Sequence, residues 1–137
     1  MKNNGKEAER SFVDYWTTLG HVERLRDRAD LMALNGGKPV KDFQKPSDFL
    51  VSAPGVPLHY AEVKSTWHER LFEFKHIQDG QSAAAQKEHL RGNNSYVFYI
   101  FSYHLGRWFI MSCEQYAHAL KMGRRSIKFE DLSPWLK

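Results

Sequence analysis

Cysteine is almost missing from this chain. Cys113 stands alone in 137 residues, so no intrachain disulfide can form and a cysteine-rich zinc site is excluded. A reduced, intracellular setting, cytoplasmic by default, is the expectation. No apolar run approaches the roughly 20 residues of a membrane span, and the opening MKNNGKEAER has no apolar segment of the kind a secretory leader carries. The histidines are scattered without paired ligand spacing, which disfavours a histidine-held metal. Internal repeats and low-complexity blocks are missing too. What is present is a core-forming composition: 42% hydrophobic and 14% aromatic residues are too many for a disordered chain. The length suits a single domain over residues 1–137. A net charge of +4 leans towards polyanionic partners without requiring one.

Residues 5–19 place Phe12, Val13, Trp16 and Leu19 at helical spacing, with Ser11, Asp14 and Thr18 opposite, and predict an amphipathic helix. Glu9 precedes Phe12 by three residues and Val13 by four, so it shares the apolar face while Glu7 does not. A carboxylate aimed inward requires a cation or a hydrogen-bond donor. Residues 22–34 predict a second helix, stopped by NGG. The basic KPVKDFQKP that follows, with two prolines, predicts a loop or edge strand.

SDFLVS and PLHYAEVKS then read as two strands of a hairpin turned by Pro-Gly. A short strand is expected around Leu71–Phe74, and a helix over 79–91 with Asp79 as its cap. SYVFYIFS, 95–102, is apolar on both faces, as in a central strand covered from both sides. RWFIMS predicts another strand, and Ser112 and Gln115 have capping-box spacing for a helix that stops at Gly123. The tail SIKFEDLSPWL reads as ordered packing. This order describes an α/β fold, a mixed sheet flanked by helices.

Chemistry concentrates on the hairpin. Asp48 opens its first strand, and Glu62 and Lys64 lie two apart on the second, on one face. Two neighbouring carboxylates raise each other's pKa unless a divalent cation lies between them. Magnesium is commonly held by one or two carboxylates with water and substrate phosphate. A lysine beside it can orient or deprotonate the attacking water and offset phosphate charge. Glu9 could complete the group from the helix. The bland alternative for Glu62 and Lys64 is an ion pair on an edge strand; for Glu9 it is a surface salt bridge. Cys113, at a helix start, has no accompanying base and is expected to pack rather than react.

The spacing Asp48, 13 residues, Glu62-Val63-Lys64 resembles the core motif of the PD-(D/E)XK nucleases. GKEAER resembles the glycine-then-glutamate helix opening Holliday junction resolvases of the RecU and archaeal Hjc types, with Glu9 as the acidic residue. KPSDFLV and HYAEVKST resemble the segment that supplies their other carboxylates and lysine. FEFKHIQDGQ resembles the RecU-type stretch that ends in a glutamine, here Gln81. The similarity runs over about residues 4–112; Pro46-Ser47-Asp48 replaces an adjacent Pro-Asp, and residues 20–46 carry no matching motif.

The resemblance implies a restriction-endonuclease-like core and a homodimeric, metal-dependent endonuclease that nicks four-way junctions in pairs. Asp48, Glu62 and the carbonyl of Val63 would hold Mg²⁺ or Mn²⁺, with Glu9 acting directly or through water. Lys64 would activate the nucleophile, and Gln81 would support the site; otherwise Gln81 merely caps its helix. Two other outcomes stay open: a related nuclease acting on flaps, nicks or duplex DNA, and an inert DNA-binding module of the same fold. Location would be cytoplasmic or nucleoid-associated, or host cytoplasm if viral. Lys38, Lys41 and Lys45, in a loop with glycine and proline, are candidate phosphate contacts, as are Arg70 and Lys75. Trp67 could stack on a base, cover the core or enter a dimer interface.

Overall fold

The computed structural model describes residues 4–25, 34, 36–37, 45–92 and 94–136. Helix α1 (Asn4–Leu19) leads into β1 (His21–Arg24), β2 (Phe49–Ala53) and the long β3 (Val56–Thr66). Next come β4 (Leu71–Glu73), a 3₁₀ turn (Phe74–His76), α2 (Asp79–Leu90), β5 (Tyr96–Ser102) and β6 (Arg107–Ser112). The chain closes with α3 (Cys113–Lys121), β7 (Ser126–Lys128), a second 3₁₀ turn (Phe129–Asp131) and β8 (Ser133–Trp135).

The main sheet has the order β1-β2-β3-β5-β6-β8. Its pairs are antiparallel except β3 and β5, which run parallel. Parallel neighbours need a long crossover, and β4 and α2 lie within it; β4 pairs separately with β7. Both faces of the sheet are covered. On one, Ala8, Phe12 and Trp16 of α1 pack against Phe49, Val51, Ala61, Val63, Tyr99 and Trp108. On the other, Tyr96, Phe98, Ile100 and Met111 meet Phe72, Phe74, Ala85 and Tyr116. β5 feeds both cores, which is why it is apolar on both sides.

Most of the expected elements form, and the departures have identifiable causes. The helix expected from residue 22 is instead strand β1 through Arg24, with residues 26–33 outside the described residues. Val22 lies opposite Val51 in the antiparallel pair, so sheet pairing prevails over the helical pattern of the local sequence. The switch from α1 to β1 depends on Gly20. A Cβ there would lie 2.3 Å from the carbonyl oxygen of Ser52, so the chain can turn this tightly onto β2 only without a side chain.

Leu19, expected on the apolar stripe of α1, is exposed at the helix end. Asp79 is not the cap of α2; Gln78 is, in a capping box with Gln81. The box predicted from Ser112 and Gln115 does form at α3. The tail is ordered as anticipated, and Trp135 stacks on Trp16 with ring centroids 6.0 Å apart.

Candidate active site

β3 alternates, as any strand must. Ala61 and Val63 face α1, so Glu62 and Lys64 face the side where Tyr96 and Phe98 lie. β3 is an interior strand between β2 and β5. The edge-strand ion pair is therefore ruled out as an account of Glu62, whose side chain is only 1% exposed. The hairpin register pairs Phe49 with Ala61 and brings Asp48, one residue earlier, beside Glu62 and Val63. The Val63 N–H donates to Asp48 Oδ2 at 3.3 Å.

Glu62 is held on one oxygen and bare on the other. Oε2 accepts from Gln81 Nε2 at 2.9 Å and pairs with Lys64 Nζ at 3.2 Å. Oε1 is buried without a hydrogen-bond partner. Gln81 can do this because it sits in the first turn of α2. Its own Oε1 accepts from the Gln78 N–H at 3.0 Å, so one side chain caps the helix and fixes the carboxylate. Burial, and then the charge of Asp48, push the Glu62 carboxyl up to about 8, against the opposing pull of Lys64. Without a further cation, this group keeps its proton at neutral pH.

Each carboxylate in the region has a basic neighbour. Lys45 Nζ lies 3.4 Å from Asp48 Oδ1, and Arg24 lies 3.3 Å from Glu9 Oε1. Glu9 is half-buried on α1 and faces β1 rather than joining the Asp48–Glu62 pair directly. It still senses Asp48: its pKa is raised by burial and then by that carboxylate, while Arg24, Lys45 and Lys64 pull it down. Lys45, expected in a loop reaching for phosphate, instead contacts the carboxylate cluster. Lys38 and Lys41 lie outside the described residues. Arg70 is exposed beside a cavity of about 600 Å³ that His68, Leu105 and Lys128 also line. Lys75 is exposed and pairs with Glu73 at 3.4 Å. Trp67 does not cover the core; it is exposed and stacked on Tyr103.

Three participants escape a reading of the sequence. Arg24 belongs to a strand that was not expected, and only the folded chain brings it to Glu9. Tyr96 is fully buried, and its hydroxyl donates to the carbonyl of Pro46. Ser47, also buried, donates from Oγ to the carbonyl of Phe49 at 2.9 Å. Both hydrogen bonds hold the short segment that carries Asp48. The Tyr96 hydroxyl is kept far above its ordinary pKa by burial, then by Glu62 and Asp48, so it stays a donor.

The donor set suits a hard divalent cation. Among the described residues no three Asp, Glu, His or Cys side chains converge into a closed cage. Asp48 and Glu62, the latter with one buried oxygen bare of hydrogen bonds, match instead the open arrangement of carboxylates completed by water and phosphate.

No protein-family model matches the sequence, and no curated protein matches it either. The fold does match a solved structure: Hjc, a Holliday junction resolvase from the archaeal hyperthermophile Archaeoglobus fulgidus. The identity is 14%, with 80% of this chain and 78% of that one covered, at a TM-score of 0.51. The chain shares the fold of that protein, a mixed sheet flanked by helices. Within that fold the hairpin and the start of α2 bring Asp48, Glu62, Lys64 and Gln81 together on one face of the sheet, while α1 lies on the other.

Proposed function

We propose that this protein is a metal-dependent endonuclease acting on branched DNA, in particular a Holliday junction resolvase that works as a homodimer. The observation that carries the reading is the buried Glu62, bare on Oε1, set beside Asp48 with Lys64 and Gln81 on its other oxygen. A carboxylate buried at this cost, in a fold shared with a junction resolvase, is best explained by chemistry that uses it.

Asp48, Glu62 and the main-chain oxygen of Val63 would hold Mg²⁺ or Mn²⁺, with Glu9 assisting through water. When bound, the ion supplies a Lewis acid for the phosphate and a more acidic water. The rest falls to the chain. Gln81 fixes the rotamer of Glu62, so that Oε1 stays turned to the site. Tyr96 and Ser47 fix the approach of Asp48. Lys64 balances charge developing on the phosphate oxygens and orients the attacking water. Lys45 and Arg24, now paired with Asp48 and Glu9, would be further cations for the phosphate backbone. Paired nicks in a two-fold junction call for two such sites, hence two chains.

The test is cleavage of a synthetic four-way junction with Mg²⁺, beside a flap, a nicked duplex and an intact duplex of the same sequence. Paired nicks confined to the junction are expected. Equal or preferred cutting of the flap or duplex replaces the junction reading with a related nuclease. Binding without cutting under any divalent ion leaves an inert DNA-binding module.

A further inference from the structure

The chain has four tryptophans. Trp16, Trp108 and Trp135 lie in or against the core on the α1 face. Trp67 is different. It follows β3 directly, is 63% exposed, and stacks on Tyr103 with ring centroids 4.6 Å apart and planes 17° from parallel. Tyr103 is braced in turn: Phe101 meets it edge-on at 4.9 Å, and its N–H donates to the carbonyl of Thr66 at 3.0 Å. The indole is thus held on one side and open on the other.

Its surroundings are polar. His68, Glu69 and Arg70 follow it and are all exposed. A single ring among charged neighbours is not the contiguous apolar patch that a stable protein interface buries. Its position is defined as well. Trp67 stands just past the end of β3 and, through Tyr103 and Phe101, on the α1 side of the sheet, whereas Glu62 and Lys64 face the other side.

We propose that Trp67, backed by Tyr103, is a stacking platform for an unstacked nucleobase of the DNA this protein binds, apart from the Asp48–Glu62 site. The proposal rests on the strand-cleaving reading for its ligand, and it deepens that reading. Bases in intact duplex have both faces covered, whereas a branch point, nick or end offers a free face to an aromatic ring. The platform therefore selects DNA whose stack is broken, and it does so apart from the catalytic chemistry.

The experiment measures binding without cleavage, in EDTA, using a four-way junction carrying 2-aminopurine at the branch and an intact duplex carrying it mid-helix. With the wild-type protein, the junction probe should change its fluorescence on binding and the duplex probe should not. Trp67→Ala should remove that change and weaken junction binding by about 5- to 150-fold, the range for one base–aromatic stack, while duplex binding holds. Trp67→Phe should recover part of both effects. Equal losses on junction and duplex, no loss on either, or no DNA binding by the wild type would overturn the platform. So would sedimentation showing that Trp67→Ala converts a dimer to monomers, which would make the ring an interface residue. A quenched probe with no cleavage in any metal would sink the nuclease reading and leave the platform; metal-dependent cleavage with a silent probe would do the reverse.

Discussion

At the scale of single residues, the decisive feature is a carboxyl group placed where folding alone would not choose it. Glu62 titrates near 4.5 in an unfolded chain and at about 8 in the fold. The sign follows. Below 4.5 both states keep the proton and Glu62 contributes its full share to stability. As pH rises towards 8 the unfolded chain ionises first, and that contribution is lost. Glu62→Gln is neutral at every pH, so in EDTA it should melt higher than the wild type, with the gap opening between about pH 5 and about pH 9. Parallel melting curves for the two proteins across that range would mean that Glu62 is not the strained group described above. The same logic explains Gln81 and Tyr96: neutral donors hold the acidic segment without adding charge. The sequence could place Glu62, Lys64 and Asp48 together because alternation and a hairpin are local rules. It could not give Tyr96 a role, since that tyrosine is indistinguishable from its core neighbours until its hydroxyl meets the Pro46 carbonyl.

At the scale of elements, the strong periodic segments were legible and the weak ones were not. α1 declares itself through Phe12 and Trp16, both buried, while Glu9, expected on that face, is only half-buried and forms a salt bridge with the exposed Arg24, the bland alternative for it. β5 announces a central strand by being apolar throughout. β1 does not announce itself. HVER has no pattern of its own and becomes a strand because β2 offers it an edge. Arg24 was missed for that reason alone. The tight α1–β1 connection yields a test: Gly20→Ala puts a methyl against the Ser52 carbonyl and should cost about 1–3 kcal/mol, read as a lower urea midpoint at an unchanged slope. An unaltered midpoint would show that the turn can relax and that β1 is not pinned by this glycine. The site should feel the change too, because β1 carries the partner of Glu9.

For the whole molecule, the mixed sheet is what turns scattered residues into one group. The hairpin brings Asp48, Glu62 and Lys64, the crossover from β3 to β5 returns Gln81 to the strand it left 15 residues earlier, at Thr66, and α1 leaves Glu9 to one side, paired with Arg24. Only a parallel pair with an intervening helix makes that return, which is why the order of motifs along the sequence carried more information than any motif alone. Assembly is the next level. Sedimentation of the protein with a four-way junction should give two chains per junction, and one chain per junction would contradict symmetric paired nicking.

In the proposed function, Asp48 and Glu62 are gathered to hold an ion that promotes DNA strand cleavage. The most direct test is single-turnover cleavage of a four-way junction with Mg²⁺ by the wild type, Asp48→Asn and Glu62→Gln, with junction affinity measured alongside. Cutting should vanish in both variants while affinity persists, because phosphate contacts elsewhere supply most of the binding. Normal cutting by either variant, or no metal-dependent cutting by the wild type, would contradict it.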